Sequence, residues 1–172
     1  MRLVARLFAR SHAGVPKILI PQPAYANHYP VLSEAQLECE YFKYYDEDRK
    51  TVDMASYMRA LETAEPGTAV LLHACAYNPT GCDPSQDEWR AIGRLMKEKG
   101  LFPIFDAAYL GFNSGSVDED AFAIRYFIQE LDMEAAVCVS FAKNMGLYGR
   151  AFKPEFTKLL LTLVQAKGWE QW

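Results

Sequence analysis

The chain lacks several features that mark large classes of protein. It has no basic excess: 18 Lys and Arg stand against 22 Asp and Glu, a net charge of −4. Nothing is available to neutralise a run of phosphates, so nucleic acid is not an expected partner. It has no long apolar run either. A membrane-spanning helix needs about 18 or more consecutive apolar residues, and the longest uncharged stretch, Pro66 to Cys82, is broken by Asn78, Pro79 and Gly81. No membrane association is expected. The four cysteines, Cys39, Cys75, Cys82 and Cys138, form no CxxC pair, and none stands at ligand spacing from a histidine. That excludes structural zinc, which takes its ligands in tight pairs, and no metal site is expected. Reduced, packed thiols in a reducing compartment are the expectation. Acid is absent from Met1 to Lys17, where Arg2, Arg6 and Arg10 accompany Leu3, Val4, Leu7 and Phe8 on one helical face. This pattern suits a mitochondrial presequence and equally an amphipathic helix of the domain, ended by Gly14 and Pro16.

What is present describes a globular chain. Half of the 172 residues are hydrophobic (51%), which a disordered polyelectrolyte would not have. The length suits one domain, able to bury roughly 70% of its unfolded surface. Short apolar runs alternate with helical periodicity. Strands are expected at Ile18–Ile20, stopping at Pro21, at Tyr41–Tyr45, at Ala69–Cys75, at Leu101–Phe105, ending at Asp106, and at Ala135–Phe141. Helices are expected at Asp53–Thr63 and Glu119–Leu131 from apolar residues at helical spacing. Another opens at Asp83-Pro84, with Asp83 as N-cap and Gln86 closing a capping box, and stops at Gly100. Uncharged strands separated by helices predict an α/β fold with a mostly parallel sheet.

In such sheets ligands bind beyond the carboxyl ends of the strands, and here those ends are polar. They lead into Tyr25, Asn27 and His28; into Asn78; into Asp106 and Tyr109; and into Ser140 and Lys143. A lysine amine made neutral by burial can attack an aldehyde to form a Schiff base, a role that Lys143 fits. Asp106 fits as partner of a protonated pyridine nitrogen. Tyr109 and Asn78 can bond a phenolic oxygen, and Tyr25 can stack on a ring. Together these describe a pyridoxal phosphate site. Blander readings stand beside this one. Lys143 can be a solvated surface charge, Asp106 the cap of a turn, Asn78-Pro79-Thr80-Gly81 a plain β-turn, Tyr25 and Tyr109 core aromatics, and His28 and His73 satisfied structural histidines.

The stretches PQPAYANH, FKYYDED, LLHACAYNPTGCDPSQDEW, FPIFDAAYLGFNSG and VSFAKNMGLYG, spread from Arg2 to Gly149, resemble the class I, fold-type I pyridoxal-phosphate aminotransferases, aspartate aminotransferases above all. NPTG alone would be weak; together with FDAAYLGF and SFAKNMGLYG it is specific. The resemblance implies L-aspartate:2-oxoglutarate-type transamination with pyridoxal 5′-phosphate as cofactor, amino acids and 2-oxo acids as substrates, and a homodimer or association with a full-length subunit. Lys143 would carry the cofactor and move the proton. Asp106 would pair with the pyridine nitrogen, backed by His28. Asn78 and Tyr109 would contact the 3′ oxygen, and Ser140 the phosphate. Tyr25 stands where the family usually has a stacking Trp. The first helix also aligns, which favours the domain-helix reading of Met1–Lys17.

The resemblance is to the central part of the family's large domain. The family's Gly-rich phosphate-binding turn and the strand before it have no counterpart, nor have the last strand and the small domain that carries an arginine for the substrate carboxylate. Arg150 stands one place early of the family's phosphate-clamping arginine and is taken as its replacement. The expected division is therefore residues 1–149 as a partial large domain and residues 150–172 as a divergent, helical tail covering the edge of the Lys-bearing strand. The alternative to an enzyme is a catalytically inactive truncated paralogue or isoform that binds cofactor weakly or associates with full-length subunits. The cytoplasm is the expected location, with the mitochondrion as the alternative. Aromatic aminotransferases share much of this motif set.

Overall fold

The computed structural model describes residues 1–11, 15–144 and 146. The tail and Arg150 lie outside the described residues. In chain order the elements are α1 (Arg2–Arg10), β1 (Lys17–Gln22), α2 (His28–Glu34), β2 (Glu38–Lys43), β3 (Tyr45–Asp46), β4 (Thr51–Val52), α3 (Met54–Thr63), β5 (Ala69–His73), α4 (Gln86–Lys99), β6 (Phe102–Ala107), α5 (Val117–Asp120) and α6 (Phe122–Arg125). A π-helical stretch (Tyr126–Glu130), β7 (Ala136–Val139) and α7 (Phe141–Asn144) complete them. Five strands form one sheet in the order β2-β1-β5-β6-β7, with every neighbouring pair parallel. β3 and β4 make a separate antiparallel pair. The α/β class and the parallel sheet expected from the sequence are what the chain adopts.

Side chains alternate across a strand, and β5 shows the consequence. Ala69 and Leu71 join Ile18, Ile20 and Ile104 in a core with Ala5 and Phe8 of α1 and Leu32 of α2. Val70 and Leu72 join Leu19 and Phe105 in the opposite core, against Tyr57 and Leu61 of α3, Trp89, Ile92 and Met96 of α4, and Phe127. The sheet is thus covered on both faces, the arrangement that uncharged parallel strands require. β2, at one edge, is mostly exposed and carries Glu38, Glu40 and Lys43, charges that discourage pairing with another chain.

Several elements differ from the sequence reading. β1 runs through Pro21 to Gln22. It can do so because its pairing with β5 stops at Leu19, so the missing Pro21 N–H interrupts no ladder there. In α1, Ala5 and Phe8 are buried whereas Leu3 and Leu7 are exposed, so the core-facing stripe is rotated from the expected one. α2 was not expected; it is seven residues long, and Pro30 sits in its first turn, where a missing N–H costs nothing. α4 begins at Gln86, with Ser85 as N-cap and Glu88 completing a capping box. The single helix expected over 119–131 is divided into α5, α6 and the π-helical stretch. Gly100 does end α4, in the left-handed conformation (φ 65°) that glycine adopts without a Cβ penalty.

The connections set where a ligand can bind. β1 leads through α2, on one face, to β2; β5 leads through α4, on the other face, to β6. Neighbouring strands whose crossovers leave on opposite faces part at their carboxyl ends, and the crevice between them is the usual ligand position in an open parallel sheet. Here that switch lies between β1 and β5. Their register covers only Ile18↔Ala69 and Leu19↔Val70, although β5 continues to His73.

Candidate active site

The polar residues at the carboxyl ends of the strands meet in two connected groups. The first is built on β6. Asp106 sits inside that strand, with its side chain about 20% exposed, and its Oδ2 lies 2.8 Å from Nε2 of His28 at the start of α2. His28 is buried and packs edge-on to His73 at the end of β5 (5.1 Å between centroids) and to Tyr25 (5.3 Å). The Asn78 amide donates to Nδ1 of His73 at 3.4 Å. Tyr25, Asn78 and Asp106 are therefore joined through two imidazoles. The second group pairs β6 with β7. Lys143 in α7 places its Nζ over the ring of Tyr109, 4.4 Å from the centroid. The register Asp106↔Cys138 and Ala107↔Val139 brings the carboxyl ends of these two strands level. Ser140 follows β7, and its Oγ accepts from the Ala142 amide at 3.3 Å, capping the short α7.

Electrostatics separate the two acid–base partners of the first group. Burial pushes the Asp106 carboxyl up, but the hydrogen bond from His28 and the neighbouring imidazole charges outweigh it, leaving the carboxyl below its ordinary value. His73 moves the other way: burial lowers it to about 4, despite attraction from Asp106. At neutral pH His73 is therefore uncharged, and the His28 hydrogen bond is the contact that keeps Asp106 anionic. Two buried nitrogens, His28 Nδ1 and His73 Nε2, have no hydrogen-bond partner, so these histidines are not the satisfied core residues of the blander reading. His28, His73 and Asp106 also offer donor atoms within 4.8 Å of one another, a grouping that spacing in the sequence did not reveal.

Each rim loop is tied by a buried carboxylate. Asp83, expected to cap α4, instead accepts from the amides of Ala76 (2.6 Å) and Tyr77 (2.9 Å), holding the loop that carries Asn78. Asp120 accepts from the amides of Gly111 (2.8 Å), Asn113 (3.2 Å) and Ser114 (3.0 Å), holding the loop that follows Tyr109. Burial raises the Asp83 carboxyl against the pull of its two amides, and Asp120 adds to the rise. The sequence marked neither residue for this task, because Asp beside Pro or Ser reads first as a helix cap. A surface groove of about 310 Å³ opens at the opposite end of the strands, among Phe8, Gly67, Lys97 and Phe102, and includes none of these groups.

Residues 2–151 match the family described as aminotransferase class I and II. The chain is 44% identical over 142 residues to aspartate aminotransferase, cytoplasmic isozyme 2, of Arabidopsis thaliana, covering 83% of this chain and 35% of that protein. It is 39% identical over 149 residues to the mitochondrial aspartate aminotransferase of Xenopus tropicalis, covering 87% and 35%. Among solved structures it is similar to an aromatic-amino-acid aminotransferase from Burkholderia pseudomallei covalently bound to pyridoxal phosphate. The TM-score there is 0.83 and the identity 32%, over 94% of this chain and 42% of that one. The chain spans about a third of the length of the curated relatives it matches.

Proposed function

The chain belongs to the class I and II aminotransferase family, and from that membership we propose that its site takes pyridoxal 5′-phosphate and serves transamination of the L-aspartate:2-oxoglutarate type. The convergence of three chemically distinct groups carries this reading. An anionic carboxylate (Asp106, backed by His28 at 2.8 Å) lies on β6, and an amine–phenol pair (Lys143 and Tyr109, 4.4 Å) lies at the level ends of β6 and β7.

The donor set fits the cofactor. Asp106 is kept in the anionic form that a protonated pyridine nitrogen needs. When bound, the cofactor supplies the electron sink for breaking a Cα–H bond of an amino acid. Lys143 would hold the cofactor through its Nζ, then take up and return the Cα proton at that atom. Tyr109 and Asn78 would orient the ring by hydrogen bonds to its 3′ oxygen, and Tyr25 would cover one ring face. Ser140 and Arg150 would receive the phosphate. Residues 1–149 act as part of a large domain in this reading, with 150–172 as a separate tail. Its partners are an amino acid, a 2-oxo acid and a second subunit, either another copy or a full-length relative. The relatives are named for both cytoplasm and mitochondrion, and the cytoplasm is the proposed location. Among the described residues no helix is long and apolar enough to cross a membrane.

The test starts with pyridoxal phosphate added to the full chain. A visible absorbance band is expected. Borohydride reduction should fix the cofactor to Lys143, as located by peptide mass, and Lys143→Ala should abolish the band. L-Aspartate should then shift the absorbance to that of the pyridoxamine form, and 2-oxoglutarate should restore it. Absence of the band rejects the cofactor; a band that aspartate leaves unchanged rejects the transaminase and leaves a cofactor-binding chain.

A further inference from the structure

Beyond the Leu19–Val70 pair, no backbone ladder joins β1 to β5. Two of the next residues on the β1 side, Pro21 and Pro23, have no N–H to offer, and their carbonyls face the crevice with no strand partner from β5. Tyr77, in the loop after β5, supplies the missing donor. Its hydroxyl lies 3.0 Å from the Pro21 oxygen and 2.8 Å from the Pro23 oxygen, so one phenol spans the gap to both carbonyls. The ring is 2% exposed and cannot swing away. It stacks on Tyr44 at 3.8 Å (14° between planes) and lies 4.3 Å from His73. The Tyr77 amide is held by Asp83 at 2.9 Å. Burial raises the phenol above its ordinary value, so it remains a donor throughout the neutral range.

The two loops that Tyr77 joins carry Tyr25 on one side and Asn78 on the other. We infer that Tyr77 is a positioning residue whose phenol fixes Tyr25 and Asn78 relative to each other across the β1–β5 crevice, and so sets how a flat ring is received there. The ring-binding part of this inference rests on the function proposed above; the clamp itself does not.

The experiment uses the full chain and Tyr77→Phe, which removes only the hydroxyl. Without cofactor, amide hydrogen exchange in residues 24–28 and 77–78 should speed up about tenfold, the fold-change of one hydrogen bond, while exchange in Ile104–Ala107 stays unchanged. A general loss of stability would accelerate both regions. Tyr44→Phe is the comparator: its hydroxyl bonds the Cys82 carbonyl (2.6 Å), and it should leave residues 24–28 unaffected. With pyridoxal phosphate, Tyr77→Phe should weaken binding about tenfold. The double variant with Tyr25→Ala should bind no more weakly than Tyr25→Ala alone, because the two act through one contact. Unchanged exchange in both loops, equal loosening by Tyr44→Phe, or additive losses in the cycle would each overturn the inference. A wild-type chain that takes up no pyridoxal phosphate would reject the cofactor, and the exchange measurements would still decide the clamp.

Discussion

His73 shows most directly how burial tunes a single group in this site. It is 6% exposed, accepts from the Asn78 amide and is lowered to about 4, against 6.5 for an unburied imidazole. Below 6.5 the unfolded chain takes up a proton that the folded one refuses. Stability therefore falls as pH drops from about 6.5 to about 4, by roughly 3 kcal/mol in all. Asp106 is lowered instead, so its contribution is present above its unfolded value of 3.8 and is lost only as pH falls through a still lower folded value. Denaturant unfolding at pH 7.5 and pH 4.5 should show the His73 loss, and His73→Phe, which keeps a ring but cannot be protonated, should flatten it. Equal pH slopes in the two proteins would remove His73 as the cause. At this scale the sequence was partly legible. Asp106, Tyr109 and Lys143 stood out because each is a polar residue that breaks the end of an apolar run. His73 did not, since its partner His28 lies 45 residues away and only the β1–β5 adjacency brings them together. Tyr77 gave no signal, because its acceptors are backbone carbonyls.

Between Cys75 and Glu88 two local solutions compete for the same polar residues. Asp83-Pro84 carries the composition of a helix start, and so does Ser85 with Glu88 three residues later. The chain uses Ser85, whose Oγ accepts from the Glu88 amide (3.3 Å) while the Glu88 carboxylate accepts from the Ser85 amide (2.7 Å). That frees Asp83 to satisfy two amides of the loop after β5. The two residues should therefore differ on mutation. Ser85→Ala removes a cap and should cost about 1 kcal/mol. Asp83→Ala leaves two part-buried amides without an acceptor and should cost more, about 2–3 kcal/mol. Chemical denaturation of the two variants decides the matter, and a larger loss for Ser85→Ala would contradict this account. The existence of α3, α4 and the strands was legible from periodicity and apolar runs. The break of 119–131 into α5, α6 and a π-helical stretch was not. Helical spacing of Phe122, Ala123, Tyr126 and Phe127 is compatible with either winding, and the demand that Phe127 be fully buried against Trp89 and Phe105 comes from the tertiary structure.

The whole molecule is one sheet shared by two cores, and the site depends on that sharing. Parallel pairing was legible because strands without charge must be covered on both faces. The place of β1 between β2 and β5 was not legible from composition or periodicity, because it follows from crossovers that leave on opposite faces. Leu71 and Leu72 test the consequence. They are adjacent in β5, almost completely buried, and point into opposite cores. Each replacement by Ala should cost about 2–5 kcal/mol through lost burial and a residual cavity. If the sheet couples its two faces, either variant should lower the same single transition, with far-ultraviolet and near-ultraviolet circular dichroism changing together. The layer of α1 and α2 should then not survive loss of the layer of α3 and α4, because both rest on the same five strands. A transition that splits for Leu71→Ala, with the α3–α4 layer persisting, would mean that the α1–α2 layer melts alone. Since α2 carries His28, that result would also predict that the His28–Asp106 contact opens before the rest of the molecule unfolds.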